Sequence, residues 1–212
     1  MIKKELPYFY INGNFGGNQS WFLDPWMHIG GCGALTMCDL MIYMALYRNR
    51  PECYPFQLDN LTKKDYRKFG MQMKPFLPPR ESGIKDIADF IKESYIFFEM
   101  SELEGIELKT LDGNRPAAEA KAAIKDSIDC GMPVIMLMLN HQNKKYEFFE
   151  WHWFLIVGYS EADDSVDRDI PDTGSDTFQI KVATYGKAHW LDFNEFWDTG
   201  CEERGGLVLV ND

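Results

Sequence analysis

Residues 34–46, Ala34-Leu35-Thr36-Met37-Cys38-Asp39-Leu40-Met41-Ile42-Tyr43-Met44-Ala45-Leu46, hold no proline or glycine and are rich in Leu, Met and Ala. This pattern predicts a buried helix. Gly30-Gly31-Cys32-Gly33 leads into it and predicts a sharp turn with Cys32 at or near the helix N-terminus. Ile84, Ile87, Ala88 and Ile91 share one face of a second helix over 84–95, followed by a strand or turn around 96–100. Residues 114–128 are Ala-rich with an early proline, Pro116, and predict a third helix. Cys130-Gly131 and Pro133 stop it. Residues 133–139 form a continuous apolar run, read as a central strand. Trp151–Tyr159 reads as a second buried strand, and 178–184 alternates as a third. A short helix over 192–197 and a final strand over 207–210 complete the pattern. Helices come first and strands mostly later, so the fold class is α+β.

The remaining segments are less regular. Tyr8–Ile11 predicts a short strand, and the run from Asn12 to Asn18 has strong turn chemistry, so 7–31 reads as an extended arm ending in loops. Prolines at 51, 55, 75, 78 and 79 break up 48–83. That stretch reads as an irregular insertion with one short helix near 61–69 capped by Thr62. It is either a wall of a substrate groove or a packed connection. Residues 140–150 read as a polar loop or strand extension. Residues 160–177 carry seven acidic side chains, Glu161 to Asp176, and read as a mobile acidic loop without EF-hand spacing. The 212 residues are read as one domain, 1–212, containing the 48–83 insertion.

Composition narrows the function classes. The net charge of −11 argues against a nucleic acid or an anionic membrane as partner. No apolar run is long enough to span a bilayer, and the first residues do not read as a secretory signal. The five cysteines are odd in number and contain no Cys-x-x-Cys pair. The expectation is a reduced, cytoplasmic protein with no metal and no cofactor.

The candidate chemistry centres on Cys32. Backbone N–H groups and the dipole at a helix N-terminus stabilise a thiolate, which makes the sulfur a better nucleophile. From these residues alone Cys32 is either a nucleophile or a packed core cysteine, as Cys38 is expected to be. A nucleophilic cysteine needs a base. His28 precedes it by four residues, His141 and His189 are in or near loops, and His152 opens an apolar strand between Trp151 and Trp153. His152 is either that base, held rigid and partly desolvated, or a core histidine bonded to a carbonyl. Gln19 is either an oxyanion donor or a surface amide.

Several motifs occur in one order: Gln19, a tryptophan-containing loop, Gly31-Cys32-Gly33 opening a helix, Gly131-x-Pro133-Val134-Ile135, and His152-Trp153-Phe154-Leu155-Ile156-Val157-Gly158-Tyr159. Together they resemble the papain-like cysteine peptidases, in particular the group that processes double-glycine leaders of bacteriocins and its stand-alone relatives. The resemblance covers roughly 15–47 and 115–200. It implies a papain-like α+β fold, with the nucleophile helix packed on an antiparallel sheet built from the segments near 134, 153, 179 and 207. It also implies Cys32 as nucleophile, His152 as general base and Gln19 as oxyanion donor. The usual Asp or Asn that orients the histidine is missing: Ala183 and Thr184 stand there, before Tyr185-Gly186. Thr184 has a hydroxyl able to orient the ring, but it cannot stabilise imidazolium as a carboxylate does. The implied function is hydrolysis of a peptide or amide bond. The alternatives are an acyltransferase with the same thioester chemistry and an inactive peptide-binding module of the same fold. In reactivity, Cys32 is expected to alkylate first, with Cys38 and Cys130 protected by burial.

Overall fold

The computed structural model describes residues 1–81, 83–162 and 177–212. The chain begins with strand β1 (Ile2–Glu5) and a small hairpin of β2 (Tyr10–Ile11) and β3 (Asn14–Phe15). A 3-10 turn (Gln19–Trp21) leads to helix α1 (Pro25–Gly30) and, across Gly31, to α2 (Cys32–Tyr47). Helices α3 (Lys63–Met73) and α4 (Ile87–Met100) follow, then β4 (Glu107–Asp112) and α5 (Ala117–Asp129). The second half holds β5 (Val134–Met138), a 3-10 turn (Lys144–Phe149), β6 (His152–Glu161), β7 (Phe178–Thr184), β8 (Lys187–Asp192), α6 (Phe193–Trp197) and β9 (Gly205–Asn211). The fold is α+β.

Among the described residues seven strands form one antiparallel sheet in the order β4-β9-β5-β6-β7-β8, with β1 also paired to β6. The first half of β6 pairs with β5, Met138 opposite His152, and its second half pairs with β1, Glu5 opposite Gly158. An irregularity in the register against β7 falls between Ile156 and Gly158, at this changeover. All of β6 from His152 to Ser160 is buried, as its continuous apolar run requires. Helix α2 packs against β6 and α3. Every residue from Cys32 to Ala45 is buried, so this helix is covered all round and runs through the core. Among the described residues no helix is long and apolar enough to cross a membrane.

Several sequence expectations are corrected here. The strand or turn at 96–100 is the last part of α4, because Phe97 and Phe98 are buried on the same helix. The expected loop before Cys32 contains α1, which starts with Asp24 as cap and Pro25 in its first turn. The short helix near 61–69 lies at 63–73, and the hydroxyl of Thr62 accepts from Asp65 N at its start. Strands β1, β4 and β8 carry no continuous apolar run, because each lies at an edge and its residues are mostly exposed or half-buried. Most of the acidic 160–177 segment lies outside the described residues.

Candidate functional site

Two turns prepare the site. Gly31 separates α1 from α2, and a Cβ there would lie 2.4 Å from the Met27 carbonyl oxygen. Glycine therefore allows the two helices to meet so closely, and Cys32 becomes the first residue of α2. The second turn ends at Trp151, whose φ of 55° is left-handed. Such a backbone costs about 1–3 kcal/mol in a non-glycine residue. It is held by the Trp151 N–H bond to the Leu139 carbonyl. The Trp151 carbonyl oxygen lies 3.9 Å from Cys32 Sγ and takes the thiol's hydrogen bond, and the next residue, His152, starts β6.

Cys32, His152, Gln19 and Thr184 line one small cavity of about 30 Å³. His152 Nε2 lies 2.6 Å from Thr184 Oγ1. The Tyr185 ring stacks on the imidazole with centroids 4.5 Å apart and planes within 5°, and its hydroxyl is 3.4 Å from Nδ1. Tyr185 is itself left-handed, φ 48°, and its carbonyl accepts from Asn18 Nδ2 at 2.8 Å. Gln19 Nε2 donates to the carbonyls of His28 (3.0 Å) and Ile29 (3.4 Å) at the end of α1. An amide nitrogen has two protons, so serving a ligand requires Gln19 to give up the longer contact, to the Ile29 carbonyl.

A larger cavity of about 470 Å³ adjoins these groups, sharing Gln19, Cys32, His152 and Tyr185. Glu81 and Gly83 from the end of the 48–83 stretch line it together with Trp151. A Cβ at Gly83, which has φ +66°, would lie 3.8 Å from Cys32 Sγ. Ile84 is tied down by the Trp153 indole, which donates to its carbonyl at 2.7 Å while stacking on Phe90 at 4.1 Å.

The electrostatics correct one expectation. Cys32 and His152 are each 5% exposed. Burial pushes the Cys32 thiol above its ordinary value, although the N–H groups of Trp153, Gly33 and Cys32 pull in the other direction. Burial also lowers His152 to about 3. Desolvation of the charged forms therefore outweighs the helix terminus, and the resting pair is a neutral thiol and a neutral imidazole. The expected ranking of the cysteines changes too: Cys38 is buried, but Cys130 is exposed.

The other histidines are elsewhere. His28 is exposed on α1. His141 is buried between the Glu195 carbonyl and Asn143 N. His189 packs against Phe148 and Phe149. Ala183 lies on β7 opposite Leu155 and offers no polar group. Among the described residues no three His, Cys, Asp or Glu side chains are grouped to hold a metal ion.

One polar residue near the site was not singled out from sequence. Asp39 lines the small cavity and is buried on α2. Its carboxylate accepts from Tyr66 Oη at 2.7 Å, Tyr8 Oη at 3.0 Å and Gly17 N at 3.1 Å. The available signal was a lone aspartate inside an otherwise uncharged helix rich in Leu and Met, a charge that a core position does not tolerate without partners. Compared with family models, curated proteins and solved structures, the chain matches none of them.

Proposed function

We propose that this chain is a cysteine thiol hydrolase of papain-like type, acting on a peptide or amide carbonyl. The observation that carries the reading is one small cavity lined by Cys32, at the first turn of a buried helix, by a histidine hydrogen-bonded through one nitrogen to Thr184, and by the Gln19 amide. Nucleophile, base, orienting group and oxyanion donor are the parts that acyl transfer needs.

In the proposed cycle, substrate enters the larger cavity and the Cys32 thiol gives its proton to His152 Nδ1. Sulfur bonds to the carbonyl carbon, and the oxyanion is held by the Gln19 amide and the Cys32 N–H. The C–N bond then breaks as His152 returns the proton to the leaving amine. Water, deprotonated by His152, attacks the thioester and releases the acid and the thiol. The neutral resting pair suits this order, because an imidazole that carries no proton is ready to accept one. Developing imidazolium is stabilised by Tyr185 stacking and Thr184 alone, so turnover is slow compared with an enzyme that has a carboxylate there.

The test uses p-nitrophenyl acetate and intact-mass detection. The expected result is one acetyl group on Cys32, absent in Cys32→Ala and formed at least a hundredfold more slowly in His152→Ala. No acylation of the wild-type protein would overturn the reading in favour of a binding module. Transfer of the acetyl group to added amines faster than to water would favour the acyltransferase.

A further inference from the structure

We infer that Asp39 is a positioning residue for this reaction: its carboxylate clamps the Gly16-Gly17 turn, and through it fixes both Gln19 and the Tyr185 ring that covers His152. The inference rests on the proposed acyl chemistry and extends it to a group seven residues along the nucleophile helix.

The path is continuous. Gly17 N lies 3.2 and 3.1 Å from the two carboxylate oxygens. The turn sits directly on the acid: a Cβ at Gly16, where φ is +74°, would lie 2.6 Å from Asp39 Oδ2. At Gly17 a Cβ would collide with the Tyr66 hydroxyl at 1.8 Å. The next residue, Asn18, donates to the Tyr185 carbonyl and caps the 3-10 turn by accepting from Ser20 N. Gln19 is the first residue of that turn. One buried carboxylate thus fixes the start of a segment whose next two residues serve the two halves of the site.

A neutral amide would not replace it. Three donors converge on Asp39, and an amide has a single acceptor oxygen and two protons of its own. The groups facing the carboxylate are the Tyr8 hydroxyl from the N-terminal arm, the Gly17 N–H, the Tyr66 hydroxyl from α3 and, beside it on α2, Cys38. None is a cation, and burial raises the Asp39 pKa to about 6. Protonation near that pH exchanges an acceptor for a donor and loosens the turn.

The experiment is a double-mutant cycle on acylation by p-nitrophenyl acetate, with iodoacetamide alkylation of Cys32 as a control that forms no oxyanion. Asp39→Asn should slow acylation by roughly 10- to 100-fold, less than outright loss of a donor by the upper limit of about 10³, while alkylation changes by less than about threefold. In the Gln19→Ala background the Asp39 substitution should slow acylation by clearly less than it does in the wild type, since one of the two groups it positions is gone and only the branch through Tyr185 remains. Acylation by the wild type should fall as pH drops through about 6, with no matching step in alkylation. That measurement needs no variant, so it decides the matter even if Asp39→Asn does not fold. An additive cycle, or the absence of the step, would overturn the role of Asp39 while leaving the thiol chemistry standing. A wild-type protein that does not acylate at all would overturn both readings.

Discussion

His152 Nε2 and Thr184 Oγ1 are 2.6 Å apart, a short hydrogen bond joining the start of β6 to the end of β7. With Nε2 donating to the hydroxyl, Nδ1, which lies 3.4 Å from the Tyr185 hydroxyl, is the acceptor that takes the thiol proton in the proposed cycle. A neutral hydrogen bond is worth about 0.5–1.5 kcal/mol, so Thr184→Val should lower acylation by roughly 2- to 10-fold. Thr184→Asp should act in the opposite sense on basicity. A carboxylate on Nε2 raises the histidine pKa from about 3, so the pH at which acylation is half-maximal should move upward. Equal rates in wild type and Thr184→Val would show that the hydroxyl does not orient the ring.

The neutral resting pair sets the order of cysteine alkylation. Cys130 is exposed and should react with iodoacetamide first at neutral pH, with Cys32 behind it and Cys38 protected. Thiol reactivity follows the thiolate fraction. Alkylation of Cys32 should therefore climb through the alkaline range and show no plateau between pH 5 and 7. Mass-spectrometric peptide mapping over pH separates the sites. A plateau at acid pH would mean that a thiolate–imidazolium pair forms in the free protein.

Two buried groups should move stability with pH in opposite directions. Asp39 is raised from 3.8 to about 6, so its contribution is fully present below pH 3.8 and is lost as pH rises through about 6. The difference corresponds to about 3 kcal/mol. His152 is lowered from 6.5 to about 3, so its contribution is present above pH 6.5 and is lost as pH falls through about 3, by about 4–5 kcal/mol in total. Urea unfolding from pH 4 to 7 checks both. Relative to wild type, Asp39→Asn should gain stability as pH rises, and His152→Gln should gain it as pH falls. A pH-independent difference for either variant would remove that assignment.

The interior of the fold was readable because its elements bury whole faces. The apolar runs at 34–46, 133–139 and 151–159 lie in α2, β5 and β6, and the alternation over 178–184 is β7. Edge strands β1, β4 and β8 were not readable, since exposed and partly charged residues there give no run. Thr184 falls on the buried face of β7 that its alternation places with Ile180 and Val182. The meeting of Gln19 with Cys32 depends on α1, a six-residue helix too short for periodicity to declare. The acid–base state was not readable at all. Helix position suggests a thiolate, but burial opposes it, and the neighbours of the sulfur include Trp151 and Gly83, which are distant from Cys32 in sequence.

Trp153 links the core to the cover over Cys32. Its indole donates to the Ile84 carbonyl and stacks on Phe90 with planes 16° apart. Trp153→Phe keeps an aromatic ring on Phe90 but leaves the buried Ile84 carbonyl without that donor, a loss of about 1–3 kcal/mol. The smaller ring adds a cavity term in the same direction. Ile84 is the residue after Gly83, so the segment beside the Cys32 sulfur loses its anchor. The variant should therefore be less stable to urea by about 2 kcal/mol or more. Under folding conditions Cys32 should alkylate faster, by roughly 3- to 10-fold, as the same segment opens locally. Cys38, under the same helix packing, should not change in step. Faster alkylation of both cysteines would point to global unfolding, and an unchanged Cys32 would show that the Trp153 bond does not govern access to the sulfur.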